Sequence, residues 1–519
     1  MDSENKEFTR SMGGRVYDDQ NSITTYGNEY TIMSDAHLFE KMAHFNRERI
    51  PERIVHAKGG GAHGVFTLTR DMSEFTDADM FCGVGKQTEM LARFSTVSGE
   101  RGSADTKRDP RGFALKFYTR EGNYDIVCND TPVFFVRDAI KFPDFIHSQK
   151  RNPVTNLPDM NAYWDFLSLT PESMHQVMRL MSDNGTPDGF RHMDGFGNHT
   201  FMWYKKDGSY VWVKYTFKSL QGIKNLTDKE AVRLAGENPD YAVQDLYDHI
   251  KAGDFPAWDM YVQILTPEQA KDYRYDIFEV TKEIYEEDYP LIKVGRFVLN
   301  RIPTDFFTEI EQAAFCPGNM VNGIGPSPDK MLNARMVFYS DTQRYRLGVN
   351  FEQLPTNKPK NMVMNYQRDG KMAVDNPKQP FPNYFPNSFG GVKPNPTGTP
   401  PPIYTCGYVK NYPMPVKPID FEQPRRFYEK MTEKEKMNTV NNICGSLGQA
   451  IERIQYRQCA LFFITSPDLG AKVANQLGLN LNKVIYLAGL SQEERVKRTS
   501  AREWLKINTR KVFDIVIKY

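Results

Sequence analysis

Cysteine is scarce in this chain. Six are scattered through 519 residues, at positions 82, 128, 316, 406, 444 and 459, and no two form a Cys-x-x-Cys pair. That spacing argues against a disulfide framework and against a structural zinc site. Charge of one sign is not in excess either, since 66 Lys and Arg face 65 Asp and Glu. A chain so balanced carries no electrostatic footprint for nucleic acid or an anionic membrane surface. No apolar run reaches the length of a membrane span, and the opening MDSENKEFTR has no apolar signal core. Histidine is rare, with nine in all. Aromatic residues are plentiful at 13%, within 40% hydrophobic content, which implies a large core. The length implies several structural units. An intracellular, multi-domain protein is expected.

Four regions follow from the patterning. Residues 1–52 form a polar arm followed by the helix SDAHLFEKMAHFNRERIP, with Ser34 or Asp35 as its cap and Pro51 beyond its end. Residues 53–300 read mainly as short strands rich in aromatic and β-branched residues. Asp207-Gly208 marks a hairpin between two of them. A helix capped by Thr170, with Pro171 first and Gly185 past its end, interrupts the strands. Residues 301–424 are proline-rich and read as a segment wrapping over the surface. They also hold the helix SPDKMLNARMVFYSDTQ, with Ser327 as cap. Residues 425–519 are helical, with capping boxes at Thr432/Glu435 and Ser491/Glu494.

Chemistry concentrates in two places. In RIVHAKGGGAHGVF, His56 stands in an apolar, strand-like run just before Gly59, Gly60 and Gly61. On the helix near 331–343, Met331, Arg335, Tyr339 and Gln343 fall four apart on one face. Spacing alone favours an ordinary amphipathic helix there. An arginine one turn before a tyrosine nevertheless favours the phenolate, and a phenolate suits a hard ferric iron.

These two stretches, with RFSTVSGERGSADTKRDPRGFALKFY and NDTPVFFVRDAIKFPDFIHSQKRNP between them, resemble the monofunctional haem catalases of the small-subunit type. The resemblance runs from the first helix to about residue 425 in the family's order. It departs at Val337-Phe338, and at Gln343 where histidine is common. It implies an α+β catalase fold: an antiparallel eight-stranded β-barrel with N-terminal arm, wrapping segment and C-terminal helical domain. It also implies haem b as cofactor and hydrogen peroxide as substrate. An enzyme acting on organic hydroperoxides and a non-catalytic haem-binding protein are the alternatives.

By that resemblance His56, Asn129 and Ser95 are catalytic. His56 would move the peroxide proton, Asn129 would orient the peroxide, and Ser95 would fix the imidazole. The glycines after His56 would let the backbone turn tightly against a flat ligand. Tyr339 would ligate the iron, tyrosine being the known axial ligand of catalases, with Arg335 keeping it deprotonated. His199 and Asp329 would extend that polar chain. Arg53, Arg93 and Arg346 would pair with the haem propionates, and Val55 and Phe142 would lie against the macrocycle. Val97, Phe134, Phe135 and Asp109 would line the access channel. A homotetramer threaded by the arm is implied, with no nucleic-acid or membrane partner. The terminal VIKY is not a Ser-Lys-Leu-type signal, so the cytoplasm is favoured over the peroxisome. His175, Ser182 and Lys218 match a site for NADPH. Asn184, where arginine is usual, and Glu286 and Glu287 predict weak or absent binding there.

Overall fold

A computed structural model describes residues 7–375 and 380–505. The first six residues of the arm, four of the wrapping segment and the terminal VIKY lie outside the described residues. Residues 1–52 and 53–519 are separate compact units. In the first, helix α1 (Ala36–Phe45) is capped by Asp35, whose carboxylate accepts the Leu38 and Ile23 N–H groups.

The second unit is built on strands β1 (Gly59–Leu68), β2 (Gln87–Ser95), β3 (Gly112–Thr119), β4 (Gly122–Asn129), β5 (Gly195–Phe196), β6 (Phe201–Tyr204), β7 (Tyr210–Ser219), β8 (Ala257–Leu265), β9 (Ile292–Arg301) and β10 (Ile324–Gly325). Every pairing is antiparallel, and β7 pairs with β8 to close the sheet. The ring β7-β5-β4-β3-β2-β1-β9-β8 is an eight-stranded barrel, with β6 and then β10 continuing from β7. Closure leaves the barrel strands without a free edge. Gly208, at φ +86°, makes the predicted turn between β6 and β7. The barrel is filled by aromatic rings, among them Phe94, Phe113, Phe217, Trp258 and Phe297, all buried.

Helices α2 (Phe142–Gln149), α3 (Met160–Leu169) and α4 (Met174–Met181) separate β4 from β5, and α5 (Asp228–Glu237) and α6 (Tyr241–Lys251) separate β7 from β8. Strand-rich patterning hid most of these, although Thr227 and Glu230 form a full capping box at α5. Thr170 and Pro171 open a 3₁₀ turn, and α4 proper starts at Met174. After α7 (Pro267–Asp272) comes α8 (Lys330–Leu347). Its cap is Asp329, not Ser327, because the Asp329 carboxylate accepts the Met331 and Leu332 N–H groups. Helices α9 (Glu422–Glu429), α10 (Glu433–Leu447), α11 (Glu452–Thr465), α12 (Pro467–Gln476), α13 (Leu481–Ala488) and α14 (Gln492–Arg498) follow. Helices α9 to α13 share a second core with α2, α3 and α4. Thr432 and Glu435 form the expected box; at Ser491 only the serine half is made.

The run Gly59 to Gly61 does not turn. It is the start of β1, and its glycines serve close strand contact instead. A side chain on Gly59 would overlap the Phe94 carbonyl, and one on Gly61 would lie 2.6 Å from the Ala92 carbonyl. The turn falls one step earlier, at His56 itself, which precedes the strand.

Candidate active site

His56, Asn129, Val55, Val97, Phe134, Phe142, His199, Arg335 and Tyr339 line one narrow cleft, with Asn198, Met331 and Phe338. The sheet register explains half of this gathering. Ser95 ends β2, Gly112 begins β3 and Asn129 ends β4, and Gly112 pairs with both. Ser95 and Asn129 thus stand at the same end of the two strands that flank β3. A side chain on Gly112 would strike the Ser95 hydroxyl and lie 2.5 Å from the His56 Nδ1. Gly112 is therefore a site residue that motif reading passed over.

His56 adopts φ +67°. A non-glycine residue in this region carries roughly 1 kcal/mol or more of strain. Its backbone N–H donates to the Val97 carbonyl at 3.1 Å. Its Nδ1 lies 3.0 Å from the Ser95 Oγ and 3.1 Å from the Thr96 carbonyl oxygen. A carbonyl only accepts, so Nδ1 carries the proton and Nε2 keeps its lone pair. Burial pushes the imidazole down to about 3, helped by the Arg93 and Arg335 charges. The ring is neutral at physiological pH. Asn129 donates one Nδ2–H to the Arg111 carbonyl at 3.2 Å, which leaves its second N–H. Beside it, burial lifts the Asp130 carboxyl to about 7.

Helix α8 supplies the other half. The Arg335 guanidinium donates to the Tyr339 hydroxyl oxygen at 2.7 Å and to His199 Nε2 at 2.6 Å. His199 Nε2 is thereby the acceptor, and Nδ1–H donates to Asp329 at 2.7 Å. Asp329 is the helix cap, so one carboxylate ends a Tyr339–Arg335–His199–Asp329 chain and starts the helix that carries it.

Arg53, Arg93 and Arg346 do not line the cleft; they form a buried cluster beside it. Arg53 donates to the carbonyls of Ile310, Glu311 and Ala313, and Arg346 to those of Glu311 and Ala313. A π-helical turn, Phe307–Glu311, carries two of these carbonyls. Arg93 donates to the His56 and Ala57 carbonyls, and its Nε is buried without a partner. The nearby carboxylate is Glu311, 3.4 Å from Arg53. Burial lowers all three guanidinium groups, and the Arg53 charge further lowers Arg93 and Arg346, the latter to about 9. Three buried cations against one carboxylate make a site that lacks anionic charge. Sequence reading missed Glu311, because an acidic residue in TEIEQ looks like any exposed one.

Two of the channel candidates do not line the cleft. Phe135 is fully buried against Phe145, at 4.3 Å between rings, and belongs to the core. Asp109 lies outside the cleft and borders a neighbouring pocket; its carboxylate accepts the Val97 and Ser98 N–H groups at 2.7 Å each. Phe142 stacks on Phe338 at 5.7 Å and on Phe134 at 6.2 Å. Of the NADPH candidates, Ser182 lines a second pocket, while Lys218 and His175 stand behind its lining, 3.0 Å from Glu286 and 3.6 Å from Glu283.

Residues 9–391 match the catalase family, and residues 417–477 match the catalase-related immune-responsive family. The chain belongs to the catalase family. It is 52% identical to a catalase of Methanosarcina barkeri, across 95% of this chain and 98% of that one. It is 51% identical to a peroxisomal catalase of Toxoplasma gondii, across 91% and 95%. Its fold overlays catalase A from Saccharomyces cerevisiae with a TM-score of 0.86, at 41% identity, across 91% and 99%. Membership of the catalases carries the reaction: two hydrogen peroxide molecules become two water molecules and dioxygen. It also carries haem. A planar macrocycle bearing two carboxylates fits what is here, since the aromatic cleft adjoins the anion-poor arginine cluster and presents an arginine-held tyrosine oxygen.

Proposed function

We propose that this catalase uses haem b, held by Tyr339 through its phenolic oxygen and by Arg53, Arg93 and Arg346 through the propionates. Val55 and Phe142 would pack against the ring. When bound, the haem would supply the redox chemistry of both half-reactions. The protein moves the protons. His56 Nε2 takes the proton from one peroxide oxygen and returns it to the other as the O–O bond breaks. An imidazole this reluctant to stay charged gives the proton back readily. Ser95 and Thr96 keep Nε2 the open nitrogen, and the spare Asn129 N–H holds the peroxide oxygen in place. Arg335 holds the Tyr339 oxygen through a donated hydrogen bond, and the His199–Asp329 chain holds Arg335. NADPH is bound weakly or not at all.

The observation that carries this reading is the His56 tautomer, fixed by Thr96 in the same cleft as the Tyr339–Arg335 pair. Peroxide-dependent oxygen release tests it. His56→Ala should keep its haem absorbance and lose oxygen release by about 10²-fold or more. Near-normal turnover by that variant would remove His56 from the mechanism.

A further inference from the structure

A pocket of about 900 Å³ lies between β7, the β8–β9 connection and helices α9 and α10. Five cations and five carboxylates line it: Arg179, Lys214, Arg426, Lys430 and Lys434 against Asp183, Glu283, Glu286, Glu287 and Glu435. It therefore has no positive excess for a polyanion. The carboxylates from the β8–β9 connection also take up specific cations. Glu283 accepts the Arg179 guanidinium at 2.8 and 2.9 Å, and that guanidinium lies 4.1 Å over the Phe427 ring. Glu286 pairs with Lys218 at 3.0 Å. Glu287 pairs with Arg426, which stacks 4.1 Å over Tyr285. The Glu283 backbone is pinned to α9 by the Gln423 side-chain amide, whose oxygen accepts the Glu283 N–H at 3.0 Å and whose nitrogen donates to the Glu283 carbonyl at 2.8 Å.

We propose that residues 283–287 are an ionic latch, which occupies with its own carboxylates the cations that a phosphorylated dinucleotide would need. The latch ties α4, β7 and α9 together and closes the pocket to NADPH. The choice of ligand rests on the catalase reading, but the latch itself rests on the ion pairs. Asn184, held by the Asn225 side chain at 3.1 Å, adds no cation at the rim. Glu286 and Glu287 are exposed on the rim, so exchanging them spares the core.

NADPH fluorescence titrated into the haem-loaded enzyme tests the latch. The native protein should show no saturation up to about 100 μM, whereas Glu286→Gln/Glu287→Gln should bind at least about tenfold tighter, in a salt-sensitive manner. Each single exchange should give a smaller gain, which keeps the test open if the double variant unfolds. Stoichiometric binding by the native protein at low micromolar NADPH would overturn the latch. So would folded variants that bind no tighter than the native protein. Oxygen release in the same samples should be unchanged, which separates failure of the latch from failure of the catalytic reading.

Discussion

Two buried histidines show how position decides the work of one residue type. His56 and His175 are both pushed down to about 3, mainly by burial. His56 opens its Nε2 to a cleft, whereas His175 is packed inside α4 with 2% exposure, 3.6 Å from Glu283. Position in a motif made both look functional. His175 has a consequence for stability. Its unfolded-state value is near 6.5 and its folded value near 3. Below pH 6.5 the unfolded chain takes up a proton that the folded chain refuses, so stability falls as pH drops from about 6.5 toward about 3. The loss runs at about 1.4 kcal/mol per pH unit for each such group. His175→Gln removes one of them. The stability gap between native protein and variant should therefore shift by about 1.4 kcal/mol in the variant's favour between about pH 7.5 and about pH 5.5. Denaturant midpoints at the two pH values measure it. An unchanged gap would mean that His175 takes up its proton over the same pH range folded as unfolded.

At the scale of elements, the instructive case is β1. Its glycines read as a turn because glycine in a sequence reports freedom, not the use made of it. In the barrel they allow close approach between strands. Gly64 shows this most directly: a side chain there would overlap the Val298 carbonyl oxygen of the paired strand β9. Backbone atoms cannot yield as a flexible side chain can. Gly64→Ala should cost about 1–3 kcal/mol and lower the unfolding temperature. Gly236→Ala, in α5 with open space around it, should be neutral or slightly stabilising. Thermal unfolding of the two variants compares them, and equal effects would deny the strand-contact role. The same contrast explains what was legible beforehand. Tyr339 and Arg335 share one helix face, so spacing could bring them together. Asn129, Ser95 and Gly112 meet only through sheet register, and Glu311 meets Arg53 only through a π-turn. Those meetings depend on the folded barrel, and long motif resemblance, not local periodicity, reached Asn129 and Ser95. Phe135 and Phe134 adjoin in sequence and alternate between core and cleft, a distinction that adjacency hides.

At the scale of the molecule, exposed apolar surface asks for a partner. No residue of α1 is buried, and Phe39 on its apolar face is 72% exposed. In the rest of the first unit Met12, Tyr17, Tyr26 and Met33 are almost fully exposed. Far along the chain, the wrapping segment leaves Tyr404, Tyr408 and Val409 equally bare. A lone chain rarely leaves this many large apolar groups in water. Neither segment has the periodicity to bury them within itself. Charge does not oppose self-association, because the chain is nearly neutral at +1. We expect copies of the chain to cover these surfaces in a closed homotetramer, as proposed from the family resemblance. Light scattering should give about four times the 59.9 kDa chain mass. Deleting residues 1–33 should shift the particle to smaller species while the barrel still takes up haem, because the arm is a unit of its own. A full-length protein that stays monomeric with haem bound would show that these apolar groups face water, and that the arm has no partner among copies of its own chain.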